Sequence, residues 1–98
     1  MQKLHGHPDI TDYLRLIDSF LGGHMPARDF QLAFLSAVKN EPRILGDPVY
    51  PILQTLFEDA DAYVAHPILR TAPEDLHDDG LRERAQHARR ALRNAGFE

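Results

Sequence analysis

The sequence predicts an all-α fold, an antiparallel four-helix bundle. Three observations lead there. Apolar residues recur at i, i+3, i+4 and i+7 in four separate stretches. Glycine and proline punctuate the chain between those stretches. No run alternates apolar and polar residues for long enough to build a strand. The 98 residues are 43% hydrophobic, enough for one modest core. Four amphipathic helices with mostly short connections fit an up-down bundle. Residues 1–98 read as one domain, with 1–8 as a flexible start.

The first helix carries Ile10, Tyr13, Leu14, Ile17, Phe20 and Leu21 on one face. Asp9 is placed to cap it, with Asp12 three residues on, and Gly22-Gly23 to end it. The second runs from about Pro26 to Asn40. Phe30, Phe34, Ala37 and Val38 form its buried stripe, with Ala33 and Leu35 on the flanks. "NEPRILGDP" then reads as a loop.

Asp47-Pro48 looks like an N-cap followed by a first-turn proline. The third helix carries the cleanest stripe: Val49, Ile52, Leu53, Leu56, Phe57, Ala60, Tyr63 and Val64. Pro51 falls early enough to cost only about one backbone hydrogen bond. Pro67 stops this helix near Ala65. A long connection follows, in which Ile68, Leu69 and Leu76 are the residues able to hold it to the core. The fourth helix runs from Asp79 or Gly80 to Asn94 and turns Leu81, Ala85, Ala88 and Leu92 inward. Its five arginines are expected on the remaining faces, and Gly96 closes it.

Composition removes several functions. The absence of cysteine excludes disulfides, thiolate catalysis and cysteine-based zinc sites, and fits a cytoplasmic location. No apolar run approaches the roughly 20 residues of a membrane span. "MQKLHGHPDI" lacks the apolar segment of a secretory signal. His5 and His7 make a two-ligand pair without a third, so no metal is assigned. His24, His66, His77 and His87 share no helical spacing with a carboxylate pair, and "HDD" at His77 to Asp79 reads as helix-start capping. Ser19 and Ser36 lie within helices and lack a nucleophile-elbow context. "FLGGHMP" lacks the Lys-Ser/Thr end of a phosphate loop. No catalytic residue and no cofactor is assigned, since a bundle this small leaves little room for a deep pocket.

Charge is more informative. The net charge of −4 is unevenly spread. Residues 58–79 hold seven acids (Glu58, Asp59, Asp61, Glu74, Asp75, Asp78, Asp79) against Arg70, a net of −6. Residues 81–98 hold five arginines against two glutamates, a net of +3. Glu58 and Asp61 are i, i+3 neighbours, and Asp59 lies about 100° round the helix from Glu58. A solvated helix face explains why they point outward. It does not explain why so little base accompanies them. Like charges at this spacing repel by about 0.2–0.5 kcal/mol per pair, and acids late in a helix oppose its dipole. Unfavourable charge kept together suits a basic partner and argues against direct binding of nucleic acid.

The stretch "LFEDADAYVAHPILRTAPEDLHDDGLRERAQHARRAL" resembles the colicin-D-type immunity proteins of the bacterial self-protective colicin-like immunity family. Matching features in order are Phe57, Asp61, Ala62 and Tyr63, a proline-containing stretch, then Asp78, Asp79, Gly80 and Leu81, then Arg82-Glu83. Upstream, "FQLAFLSAVKNE" is similar to the family's Phe…Phe-Leu…Lys helix. The resemblance spans most of residues 28–93. It implies a four-helix immunity protein that binds the basic nuclease domain of a bacteriocin or contact-delivered toxin, one to one. The domain would be a tRNase, whose cleft acidic side chains fill in place of the RNA backbone. Asp61, Tyr63, Asp78 and Asp79 fall on family-like positions. Glu58, Asp59, Glu74 and Asp75 join them by charge and proximity. Tyr63 is either core or an interface anchor. A small helical adaptor binding a basic non-toxin protein is the alternative, and a small bundle enzyme or metal carrier is a third.

Overall fold

A computed structural model describes residues 8–64 and 76–97. Four helices form: α1 (Thr11–Leu21), α2 (Ala27–Lys39), α3 (Val49–Asp61) and α4 (Asp78–Asn94). The expected flexible start and the positions of His5, His7, Ile68 and Leu69 lie outside the described residues, apart from Pro8. Helix α1 packs against α2 and α4, and α3 also packs against α2 and α4, so the four make a closed bundle. The fold is all-α, as the periodicity predicts.

The predicted stripes form the core. Ile10, Ile17, Phe20, Phe30, Phe34, Val49, Leu53, Leu56, Leu81 and Leu92 are buried almost completely. Aromatic rings make its centre. Phe20 stacks on Phe30 with ring centroids 4.7 Å apart, Phe30 on Phe34 at 5.3 Å, and Tyr13 meets Phe34 edge-on at 6.0 Å. Such pairs add about 0.5–1.5 kcal/mol each beyond their burial. Ala37 and Val38 are only half-buried, because α2 turns them towards the bundle's margin.

Both glycine stops are built alike. Gly23 has φ +83° and Gly96 φ +103°, left-handed values that favour glycine. Gly23 donates to the Phe20 carbonyl at 3.1 Å while His24 donates to Ser19 at 2.9 Å. Gly96 donates to Arg93 at 3.0 Å while Phe97 donates to Leu92 at 2.9 Å. These paired bonds satisfy the last carbonyls of α1 and α4. At the second site the turn also folds Phe97 back into the core.

The starts follow the sequence less closely. Asp9 accepts from the N–H of Thr11 at 3.0 Å and from its hydroxyl at 2.7 Å, but it is not the cap: α1 opens on Ile10, whose carbonyl accepts from Leu14 N–H at 3.0 Å, and no side chain caps that position. Asp47 makes no such bond. Gly46, at φ +72°, turns its own carbonyl to accept from Tyr50 N–H at 2.7 Å, and α3 begins at Val49 without a side-chain cap. Helix α3 also stops at Asp61, four residues before the expected end. There Gln31 of α2 donates to the carbonyls of Ala60 (2.9 Å) and Tyr63 (3.1 Å), and the chain leaves the helical path.

Arg84, Arg90 and Arg93 of α4 are exposed, as expected, but Arg82 and Arg89 correct the expectation that all five cover outer faces. Arg89 is buried, 5% exposed. It sits one residue beyond Ala88 and four beyond Ala85, on the inward side, and reaches two partners. It donates to Asp18 of α1 at 2.8 Å and to the Phe97 carbonyl at 3.0 Å. Arg82 lies over the Phe20 ring, 4.6 Å from its centroid, and donates to the Phe20 carbonyl at 2.7 Å.

A second polar network closes the opposite flank. Arg43 donates to Glu41 at 2.7 Å and to the Asp9 carbonyl at 2.9 Å, and Tyr13 donates its hydroxyl to Glu41 at 2.9 Å. The Arg43 side chain, its backbone N–H and Tyr13 together hold the Glu41 carboxyl down to about 2. Burial, with Glu41 beside it, pushes the Tyr13 phenol up to about 12, so it stays a donor across the ordinary pH range.

Three outcomes are expected. Arg89→Ala should lower unfolding free energy by about 3 kcal/mol in urea titration, because it removes the bonds to Asp18 and to the Phe97 carbonyl together with buried volume. Asp18→Asn should cost about 1 kcal/mol, since its side chain is half in water and still accepts. For Glu41 the folded pKa lies below the ordinary 4.5, so its stabilisation is present above 4.5 and lost as pH falls towards about 2. Glu41→Gln should therefore flatten that part of the acid limb in melts taken between those pH values.

Candidate functional site

Two acidic runs, distant in sequence, meet at one end of the bundle. After α3, Val64 N–H donates to the Leu76 carbonyl at 2.9 Å, and Leu76 N–H donates to Ala62 at 3.0 Å. This pair makes an isolated parallel bridge between Tyr63 and Leu76. It seats the first turn of α4 beside the last turn of α3. The Tyr63 hydroxyl then donates to Asp78 Oδ1. Tyr63 is 5% exposed, so its ring belongs to the core and only its hydroxyl meets the acidic end.

The N-terminus of α4 is capped by a residue that sequence reasoning passed over. His77 Nδ1 accepts from Gly80 N–H at 3.0 Å. Helix α4 accordingly starts at Asp78, a residue earlier than the spacing suggests. Asp78 and Asp79 stand in its first turn, where the helix dipole favours negative charge.

The acids differ in their surroundings. Glu58, Asp61, Asp78 and Asp79 are exposed. Gln54 donates to Glu58 at 3.3 Å along the helix. Asp59 points towards α4, with its side chain 17% exposed, and accepts from Arg84 at 3.3 Å. Burial pushes the Asp59 carboxyl up; Arg84 opposes this, Glu58 adds to the rise, and His87 opposes it. One acid of the three on α3 thus has a basic partner that charge counting along the sequence cannot see. Glu74 and Asp75 lie outside the described residues.

The basic residues beside this end are already engaged. Arg82 is held by the C-terminal carbonyls of α1, at 2.7 Å from Phe20 and 3.2 Å from Leu21. Arg84 is shared with Asp59. Glu58, Asp61 and Asp79 have no cation within ion-pair distance among the described residues. The surface they make can attract and pair with a basic partner. Among the described residues, no three His, Asp or Glu side chains gather as metal ligands, and no helix is long and apolar enough to cross a membrane.

Compared with known protein families, residues 9–92 match the model described as bacterial self-protective colicin-like immunity. The chain belongs to that family. The match takes in α1 as well as the later helices, so it is wider than the stretch whose motifs suggest it. No curated protein and no solved structure matches the chain. Membership makes this an immunity protein, whose partner is a bacteriocin toxin and whose family acts by inhibition rather than catalysis.

The junction that brings the two acidic runs of this immunity protein together can be tested for its own contribution. Tyr63→Phe should cost about 1 kcal/mol and His77→Ala a similar amount, each by removing one hydrogen bond at the same corner. Amide exchange at Gly80 and Leu81 should quicken in both variants while exchange in the middle of α2 keeps its protection relative to global stability.

Proposed function

We propose that this immunity protein is of the colicin D type and neutralises a basic nuclease domain, a tRNase, by presenting carboxylates where the RNA backbone would lie. One observation carries the proposal: the α3 end and the α4 start are bonded to each other, while nearby Arg82 and Arg84 are engaged within the bundle. Glu58, Asp61 and Asp79 are then free to meet lysines and arginines of a cleft that evolved to hold phosphates. Asp78 offers its remaining acceptor capacity beside them, and Asp59 flanks them on the α4 side. Tyr63 serves by positioning Asp78 rather than by touching the partner. Glu74 and Asp75 belong to the same acidic segment by sequence.

The complex is one to one and forms in the cytoplasm, where a tRNase would find its substrate. A single folded domain suffices for this, and neither metal, cofactor, nucleic acid nor membrane takes part. Charged groups at such a surface act twice. They raise the encounter rate over several ångströms, and they pair at short range once water is excluded.

The direct experiment co-expresses the protein with the toxic domain of the colicin-like toxin encoded beside its gene. Cells should survive; equal killing with and without the protein sinks the proposal. The surface itself is tested by Glu58→Lys combined with Asp61→Lys. Association with that domain, its catalytic residue inactivated, should slow about tenfold or more at low salt and approach wild type as salt is raised. A folded double mutant with an unchanged association rate would count against these acids. Protection with no cleavage of tRNA by the unrestrained toxin would redirect the reading to another nucleic acid.

A further inference from the structure

The groove between α3 and α4 runs away from the acidic end. Its volume is about 350 Å³, and it is open to solvent along one side. Pro51, Ile52, Thr55 and Leu56 line it from α3, and Ala88 and Ala91 from α4. The two alanines leave the space, since larger residues at those positions would fill it. At the end nearest the acids stand Asp59, Arg84 and His87. An apolar floor with charged groups at one end has the composition of a pocket for a side chain, not of a wet helix crevice.

We infer that this groove receives an apolar side chain of the toxin, carried next to a lysine or arginine that pairs with Asp59. The inference rests on the toxin-neutralising role proposed above, and extends the docking surface along the α4 flank of α3. Three observations favour this occupant. The groove is continuous with the acidic end through Asp59, which belongs to both. Asp59 favours a basic neighbour: it is largely withdrawn from water, its ion-pair partner among the described residues is Arg84 at 3.3 Å, and burial still pushes its carboxyl up despite that partner. Arg84 bonds Asp59 Oδ1 alone, which leaves Oδ2 for the incoming base among the described residues. A second copy of this chain fits less well, because the exposed flank of α3 it would present carries Glu58 and Asp61.

The division of labour is specific. Glu58, Asp61 and Asp79 act at a distance and govern how fast the complex forms. The groove acts on contact and governs how long the complex lasts. Many basic proteins could be attracted by the acids. Only one with the right side chain beside its base fills the groove, so the groove distinguishes the cognate toxin from others.

Thr55→Trp tests this, because Thr55 is exposed on the rim and an indole there occupies the groove without entering the core. Gln86→Trp puts the same bulk on the α1 side of α4, away from the groove. Both are compared with wild type by surface plasmon resonance against the inactivated toxic domain encoded beside the gene, after thermal melts establish folding. Thr55→Trp should raise the dissociation rate about tenfold or more, leave the association rate within about twofold, and keep this effect at high salt. Gln86→Trp should change neither rate by more than about twofold. Equal effects of the two tryptophans, or none from Thr55→Trp, overturn the groove while leaving the acid-mediated docking intact. Failure of the wild-type protein to bind the domain overturns the toxin reading itself, and the groove assignment with it.

Discussion

The inward turn of Arg82 and Arg89 on α4 is the constraint on which the rest of the molecule depends. Helix α4 brings only Leu81, Ala85, Ala88 and Leu92 as buried apolar residues, two of them alanines. Such a face buries too little to hold a 17-residue helix by hydrophobic contact alone. Guanidinium groups make up the difference. Arg82 lies on Phe20 and holds the end of α1, Arg84 reaches α3 through Asp59, and Arg89 joins α1 to the returning chain at Phe97. Arginine suits this work, because a planar fork of donors can serve a ring face, a carbonyl and a carboxylate at once.

That arrangement also decides what the surface looks like to a partner. A net charge of −4 is modest, and counted along the chain the arginines of α4 would seem to dilute the acids before them. In the folded molecule the arginines nearest the acids face other groups of the same bundle. Among the described residues, the exposed carboxylates Glu58, Asp61 and Asp79 are left without an ion-pair partner. The charge of this surface is thus shaped by the same contacts that hold the fourth helix.

Much of the fold was legible because it rests on local rules. Helical periodicity locates all four helices, and the phenylalanines at Phe20, Phe30 and Phe34 mark the core. Gly23 and Gly96 mark two ends, since left-handed backbone favours glycine. What escaped the sequence depends on groups far apart in it. Arg89 looks like any surface arginine until Asp18, 71 residues away, is beside it. The true end of α3 depends on Gln31, 29 residues before Ala60. Asp47-Pro48 carries the right residues for a cap, yet the backbone turn at Gly46 sends a carbonyl there instead. At the acidic end, the sequence shows the run of acids, but not that Asp59 is largely withdrawn beside Arg84 or that His77 is the cap.

The bridge between Ala62, Val64 and Leu76 has a consequence for the entropy of binding. Together with the Tyr63 hydroxyl on Asp78, it ties the last turn of α3 to the first turn of α4. The carboxylates of the two helices therefore stand on one fixed backbone before any partner arrives. Ordering a side chain at an interface costs about 0.5–1.5 kcal/mol, and a backbone already in place leaves only that part of the cost to be met on association.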